Sequence, residues 1–147
     1  LNVVEDFRQD LVNQNKKIEI LTNFSDKDEK NYFIFGIENR LEQVIANLLD
    51  NAVSFSDDDK EVIVKVSKSE NNKVIINILD EGDGFKEKDT NKIFKRFYSN
   101  RPNKFGQHSG LGLNIVKNLV DLHNATIKAS NRTNRKGASM EIIFPKV

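Results

Sequence analysis

Residues 80–85 of this 147-residue chain read Asp80-Glu81-Gly82-Asp83-Gly84-Phe85. Asp80 has the same parity along the chain as Val74, Ile76 and Ile78, which are apolar. Side chains of equal parity point to the same face of a strand. The pattern therefore predicts a strand from Val74 to Asp80 that ends in a carboxylate on its buried face.

A carboxylate buried in this way requires hydrogen-bond donors, and the exocyclic amine of a flat ring is a suitable donor. Gly82 and Gly84 would let the backbone pass close to such a ring. A tight turn capped by Asp80 explains the same residues equally well when they are considered alone. A calcium loop is excluded, because glycines occupy positions where further ligands should lie.

An amphipathic helix is predicted upstream, from Asn39 to Phe55. Its apolar stripe comprises Leu41, Val44, Ile45, Leu48, Leu49 and Ala52. Gln43, Asn47 and Asn51 follow one flank of this stripe at intervals of four residues. Amide oxygens can bind a divalent metal, and amide NH₂ groups can donate to phosphate. Amide spacing alone is a weak motif, and solvated polar residues on an amphipathic helix would show the same pattern.

Downstream, Ser109-Gly110-Leu111-Gly112-Leu113 opens a second helix that is predicted to run from Gly110 to His123. The free N–H groups and the positive dipole end of such a helix favour phosphate. A glycine-rich N-cap without a ligand is the alternative. Between the two motifs, residues 86–109 lose periodicity, which in a compact domain is typical of a functional lid or of disorder. Arg96, Arg101 and Lys104 in this segment could reach a terminal phosphate, although each alone is explained as a solvated charge.

The composition excludes several classes of protein. The chain lacks the GxxxxGK[ST] phosphate loop, and Ile115 stands where a dinucleotide fingerprint has its third glycine. It contains no cysteine, which excludes disulfides and thiolate metal sites. A net charge of +1 with scattered Lys and Arg gives no general attraction to nucleic acid, so we expect no nucleic-acid partner. No apolar run approaches the roughly 20 residues of a membrane span.

The remaining periodicities predict further elements of a mixed α and β domain. They comprise an amphipathic helix from Val3 to Asn15, strands over Lys17–Thr22, Tyr32–Gly36 and Val62–Val66, and closing strands at Ile127 and Met140–Phe144. Hairpins outnumber crossovers in this order. We therefore predict an α+β fold, a two-layer α/β sandwich in which helices cover one face of a mixed sheet.

Four runs, in this order, resemble the asparagine, first glycine, phenylalanine and second glycine boxes of sensor histidine kinases. These runs are Leu41–Ala52, Asp80–Phe85, Ile93–Tyr98 and Ser109–Lys117. The resemblance covers nearly the whole chain, and four ordered boxes are highly specific. It implies the Bergerat ATP-binding fold over residues 1–147, with a flexible ATP lid at about residues 86–109.

The resemblance also implies a role for individual residues. Asn47 would ligate Mg²⁺ and act in catalysis, and Asn51 would contact phosphate. Asp80 would bind the adenine amine, partly through water, and Phe55 would pack on or near the base. Arg96 would hold the γ-phosphate from the lid and so take part in catalysis. The glycine boxes would shape the rest of the ATP site through Gly82, Gly84, Gly110, Leu111 and Gly112.

One position distinguishes the branches of this superfamily. The hydrolysing branches have a glutamate general base one helical turn before the metal-binding asparagine. Gln43 occupies that position here, and an amide cannot accept a proton at neutral pH. Glu42 is adjacent, but it points about 100° away on the helix. The site is therefore expected to deliver the γ-phosphate to a nucleophile other than water.

The resemblance implies that this nucleophile is a histidine on a separate dimerisation domain. Neither His108 nor His123 has the sequence context of that histidine. Because the chain also opens at Leu1 in mid-pattern, we expect it to be the ATP-binding part of a longer protein, without the dimerisation and phosphotransfer domain. The phosphate would pass to an aspartate of a response regulator. We expect the full protein to be a homodimer and the isolated domain to be a monomer. We also expect this domain to be the cytoplasmic part of a membrane-anchored sensor.

Two other hypotheses use the same boxes. The first is a protein-serine kinase of the anti-sigma type, which needs no histidine domain. The start at Leu1 and the Phe94–Phe97 box argue mildly against it. The second is a nucleotide sensor without catalysis, which would bind ATP and a protein partner but would not phosphorylate a histidine.

Overall fold

A computed structural model describes residues 4–6, 8–9, 19–24, 34, 36–54, 60–85, 93–94, 111–133 and 135–145. Residues 4–6 and 8–9 are helical and are called α1. The other elements are β1 (Glu19–Phe24), α2 (Glu38–Ser54), β2 (Glu61–Lys68), β3 (Val74–Leu79), α3 (Leu111–Leu122), β4 (Thr126–Asn131) and β5 (Ala138–Ile143). Both long helices therefore begin and end within a residue or so of their predicted bounds.

The strands form one mixed sheet in the order β1-β2-β3-β5-β4. β1 and β2 are parallel, with α2 as the crossover between them, whereas the other neighbours are antiparallel. Asn72 has a φ of 61° in the turn between β2 and β3. The sheet confirms the predicted α+β fold.

The core lies between the sheet and the two long helices. Alternate residues of β2, β3 and β5 are buried, and in α2 Leu48 and Leu49 are both fully buried. α2 packs on β2, β3 and α3, and α3 packs on β4. Burying alternate residues of each strand against helices leaves the other sheet face more exposed, at Lys65 for example. This is the two-layer sandwich that the sequence predicts.

The predicted strand at Tyr32–Gly36 is wrong at its described positions, because neither Ile34 nor Gly36 lies in a strand. The physical reason lies at the next residue. The Ile37 N–H donates to His123 Nε2 at 3.1 Å, so a side chain instead of a neighbouring strand receives this backbone donor. A Cβ on Gly36 would lie 2.6 Å from the His123 ring, so the backbone passes close to the imidazole.

His123 is a structural residue that joins the end of α3 to the start of α2. It is 8% exposed, so its imidazole ring does not face solvent. Its Nδ1 lies 2.7 Å from the Leu119 carbonyl oxygen. Since Nε2 accepts from Ile37, Nδ1 carries the proton and donates to that carbonyl.

We expect His123→Ala to lower the free energy of unfolding by about 2 kcal/mol, because the Ile37 N–H loses its acceptor and a buried ring is removed. Leu122→Ala is the matched control, since Leu122 is adjacent but 62% exposed. It should change stability by less than about 0.5 kcal/mol. Urea unfolding measures both, and equal midpoints for the two variants would show that the His123 junction contributes nothing.

Within the residues that the structure describes, no helix is long and apolar enough to cross a lipid bilayer.

Candidate nucleotide-binding site

Asp80 follows directly after β3 and is 2% exposed, as its parity in the sequence predicts. Its Oδ1 accepts hydrogen bonds from the Gly82 N–H at 2.9 Å and the Ala138 N–H at 3.1 Å. The Asp80 N–H in turn donates to the Ala138 carbonyl at 3.0 Å. Backbone groups of two separate segments therefore set the position of this carboxylate before any ligand binds.

The turn after Asp80 requires the glycine at position 84. Gly84 is buried and has a φ of 78°, in the left-handed region that other residues rarely adopt. A Cβ at this position would lie 2.5 Å from Asn131 Oδ1. Gly82 is also buried, and its N–H is used by Asp80. Both glycines of the motif therefore shape the backbone beside the carboxylate.

The amide flank of α2 contains a donor that lacks a partner. Gln43, Asn47 and Asn51 are all half-buried. Asn51 Nδ2 is the one buried side-chain nitrogen or oxygen without a hydrogen-bond partner among the described residues. An unsatisfied buried polar group costs about 1–3 kcal/mol, so such a group indicates an acceptor supplied by a ligand.

Gly112, the second residue of α3, is exposed, and a Cβ there would meet no atom of the described residues within 4 Å. Packing among these residues therefore does not require glycine at this position, and close approach by a ligand is one reason for it. Two residues later, Asn114 Nδ2 donates to the Phe94 carbonyl at 3.1 Å. Ile93 and Phe94 are described between segments that are not, and both are buried.

Several predicted site residues lie outside the described part of the chain. They are Phe55, Arg96, Arg101, Lys104 and Gly110, and His108, which was not predicted to be a site residue, lies there too. Leu111 is described only as the first residue of α3. Except for residues 93 and 94, the predicted lid at residues 86–109 also lies outside the described ranges. The roles of these residues stay predictions.

The donor set fits a nucleotide with Mg²⁺ better than a metal held by protein alone. The described ranges contain no group of three or more His, Cys, Asp or Glu side chains that could hold a metal ion. Mg²⁺ usually takes only one or two protein ligands and completes its shell with phosphates and water. The Asn47 amide oxygen could supply such a ligand on the same flank as the unpartnered Asn51 amide.

The sequence motifs missed the residues that hold the Asp80 loop from outside. Asn131 Oδ1 accepts from the Phe85 N–H at 2.6 Å, and Asn131 Nδ2 donates to the Phe85 carbonyl at 3.1 Å. Arg132 Nη1 donates to the Asp80 carbonyl at 3.1 Å. The one signal for these residues in the sequence is the polar turn that ends in Gly137. In the structure this glycine has a φ of 139°.

The buried carboxylate, the amides along α2 and the glycine at the start of α3 are the features that the sequence predicts for a nucleotide site. Residues 36–147 match the family described as histidine kinase-, DNA gyrase B-, and HSP90-like ATPase. The chain belongs to this family. Its similarity to sensor histidine kinases identifies it further as an ATP-binding catalytic domain of the histidine kinase type.

Two sequence relatives and one solved structure illustrate the similarity. The sensor protein ChvG of Rhizobium meliloti is 32% identical over 123 residues, which are 82% of this chain and 21% of ChvG. The sensor histidine kinase YvrG of Bacillus subtilis is 33% identical over 146 residues, 99% of this chain and 24% of YvrG. The structure of the mycobacterial sensor histidine kinase MprB has a TM-score of 0.80 at 23% identity, and the match covers 98% of this chain and 92% of MprB.

The comparisons confirm the predicted family and fold. They favour neither the serine-kinase hypothesis nor the hypothesis of a nucleotide sensor without catalysis, since these relatives are sensor kinases. The chain spans about a fifth to a quarter of the length of the two sequence relatives.

Proposed function

We propose that this domain binds Mg-ATP and transfers the γ-phosphate to a histidine on a separate dimerisation domain, for relay to an aspartate of a response regulator. The observation that carries the proposal is the unpartnered, buried Asn51 Nδ2, on the same helix flank as Asn47. A buried amide donor of this kind needs an acceptor, and a phosphate oxygen is a strong one.

The two ends of ATP would meet different chemistry. Asp80 would accept a hydrogen bond from the adenine amine. Two backbone donors already hold its carboxylate in position for this contact. Asn51 would donate to phosphate, and Asn47 would contribute an amide oxygen to Mg²⁺. The ion, when bound, neutralises charge that develops on the phosphates. Phe55, Arg96, Gly110 and Leu111 keep the roles that the family resemblance implies.

The residues around Asn47 support transfer to a nucleophile other than water. Gln43 is half-buried one turn before Asn47, and its amide cannot serve as a general base. Glu42 is exposed. In the transfer, the bond between the γ-phosphorus and the β,γ-bridging oxygen breaks, and a bond from an imidazole nitrogen to phosphorus forms. ADP leaves with the electron pair, and the imidazole N–H proton passes to solvent.

The wider assembly is part of the same proposal. Residues 1–147 form one catalytic and ATP-binding domain with its lid at about residues 86–109. The partners are the dimerisation and phosphotransfer domain of the same protein and a response-regulator receiver domain. The isolated domain is a monomer, and the full protein is a homodimer. The domain lies on the cytoplasmic side, where ATP is available, and belongs to a membrane-anchored sensor.

The reaction is tested by mixing the domain with a separately prepared dimerisation domain of a homologous sensor kinase, a helical hairpin that carries the acceptor histidine. With γ-labelled ATP and Mg²⁺, the label should appear on the hairpin as an acid-labile phosphohistidine, and a hairpin with its histidine replaced by alanine should stay unlabelled. Acid-stable label on serine would contradict the proposal. Binding of ATP without any transfer would instead support a nucleotide sensor.

Asn47→Ala should remove most of the gain in ATP affinity that Mg²⁺ provides, because the amide oxygen is lost as a ligand. We expect the affinity with Mg²⁺ to fall about tenfold, equivalent to about 1.4 kcal/mol, while the affinity in excess chelator stays unchanged. Calorimetry with and without Mg²⁺ measures both values. Asn39→Ala is the matched control, since Asn39 is an exposed amide on the first turn of α2. An unaltered Mg²⁺ gain in Asn47→Ala would refute the metal role.

A further inference from the structure

The turn between β4 and β5 packs over the loop that carries Asp80. We call residues 131–137 the hairpin turn and residues 80–85 the adenine loop. We propose that Asn131 is a positioning residue, which holds the adenine loop in the form that receives the base without touching the nucleotide. This inference rests on the proposed ATP site and extends it to a segment outside the four sequence boxes.

Asn131 binds both backbone polar groups of Phe85. The Phe85 N–H donates to Oδ1 at 2.6 Å, and Nδ2 donates to the Phe85 carbonyl at 3.1 Å. A side-chain amide thus replaces a neighbouring strand at the end of the loop, since it satisfies one donor and one acceptor together. Alanine at position 131 would lose both bonds, and a carboxylate would lose the donor.

The same amide lies close to Gly84 and occupies the space that a side chain there would need. Asn131 Oδ1 lies 2.5 Å from the point where a Gly84 Cβ would stand. Gly84 also has a φ of 78°, so it is the residue at which the loop turns. Asn131 therefore contacts both the turn of the loop and the residue that ends it.

The other end of the adenine loop, at Asp80, is held by Arg132 in the same hairpin turn and by Ala138, the first residue of β5. Arg132 Nη1 donates to the Asp80 carbonyl at 3.1 Å, and the Arg132 N–H donates to the Gly137 carbonyl at 2.9 Å. The Ala138 N–H donates to the Asp80 carboxylate. Contacts from the hairpin thus fix both ends of a six-residue loop, at Asp80 and at Phe85.

Two ion pairs connect the middle of the loop to the hairpin turn. Arg135 pairs with Glu81 at 3.1 Å, and Lys136 pairs with Asp83 at 2.5 Å. The basic side chains are 54% and 69% exposed, so solvent weakens both pairs. They complement the charge of the loop, whereas the hydrogen bonds at its ends set its geometry.

Holding a loop in its bound form reduces the ordering cost when the ligand binds. The benefit falls on the part of the ligand that the loop contacts. In the proposed site this part is the base, because Asp80 would read its amine, whereas the phosphates would lie against α2 and α3. Loss of Asn131 should therefore weaken recognition of the base more than general binding of the triphosphate.

The test compares ATP with inosine triphosphate, which carries a carbonyl in place of the adenine amine. Asn131→Ala should weaken ATP binding about 5-fold and leave inosine triphosphate binding nearly unchanged, so that discrimination narrows about 5-fold. Asn71→Ala is the matched control, since Asn71 is exposed in the turn at the opposite end of β3. Its discrimination should equal that of the wild type.

A merely structural role of Asn131 gives a different result. It would lower the unfolding midpoint and either weaken the binding of both nucleotides by the same factor or leave both affinities unchanged. Each of these two outcomes would overturn the inference. Arg132→Ala removes the hydrogen bond to the Asp80 carbonyl and should narrow the discrimination between the two nucleotides in the same way. It replaces Asn131→Ala in the test if that variant does not fold. If the wild type bound neither nucleotide, the proposed function itself would fail. That result differs from one in which the wild type binds ATP and Asn131→Ala keeps the same discrimination, which would overturn only the inference about Asn131.

Discussion

Asp80→Asn is expected to reverse the nucleotide preference of this domain. The asparagine oxygen can still accept from the Gly82 and Ala138 N–H groups, so its NH₂ must take the place of the other carboxylate oxygen. That NH₂ would face the adenine amine, donor against donor. We expect ATP affinity to fall at least about 100-fold, or about 2.7 kcal/mol, because two buried donors are left opposed.

The reversal follows from the base that replaces adenine. Inosine triphosphate presents a carbonyl acceptor at the same position, so the variant should bind it more tightly than it binds ATP. Calorimetry with both nucleotides measures the exchange. Asp121→Asn is the control for the charge change, since Asp121 is exposed near the end of α3. If Asp80→Asn kept its preference for ATP, the assignment of the adenine end to this carboxylate would be wrong.

Gly137→Ala is expected to cost the domain about 3 kcal/mol of unfolding free energy. Gly137 is buried with a φ of 139°, a conformation that costs other residues about 1–3 kcal/mol. An added Cβ would also overlap the Asp80 carbonyl oxygen, so the contact between the hairpin turn and the adenine loop must open. The same variant should therefore bind ATP more weakly even at temperatures where it is folded.

Gly112→Ala separates stability from binding and serves as the control. This glycine is helical, and within the described part of the chain a Cβ there meets nothing within 4 Å. Alanine should stabilise α3 by up to about 1 kcal/mol. ATP binding should nevertheless weaken if a phosphate approaches this backbone. Urea unfolding and calorimetry on both variants check the pair, and equal loss of stability in the two would contradict our account of Gly137.

Much of the fold was predictable because its signals are local. The apolar stripe of α2 and the alternation in β3 depend on residues a few positions apart, and burial then follows from helix and strand geometry. Asp80 is the clearest case, since its parity alone predicts a carboxylate on the buried face. The asparagine flank of α2 was equally readable from spacing, and the structure adds the finding that Asn51 Nδ2 lacks a partner.

The failures involve groups that are distant in sequence. The residues around Tyr32–Gly36 have strand propensity, yet the Ile37 N–H bonds to a histidine 86 residues away. No periodicity reports such a contact. Asn131 likewise lies in a polar turn that resembles any hairpin end, and only packing brings it to Phe85, 46 residues away.

The order of the boxes and the periodicity between them predicted the family, the two-layer fold and the candidate residues of the nucleotide site, because each of these signals is local in the sequence. Three-dimensional packing established how Asp80 is held, since the distant Ala138 N–H donates to its carboxylate and Arg132 donates to its backbone carbonyl. A buried polar group must find its partners wherever the fold brings them. For this reason candidate site residues could be predicted along the chain, whereas the residues that position Asp80 could be found only in the folded molecule.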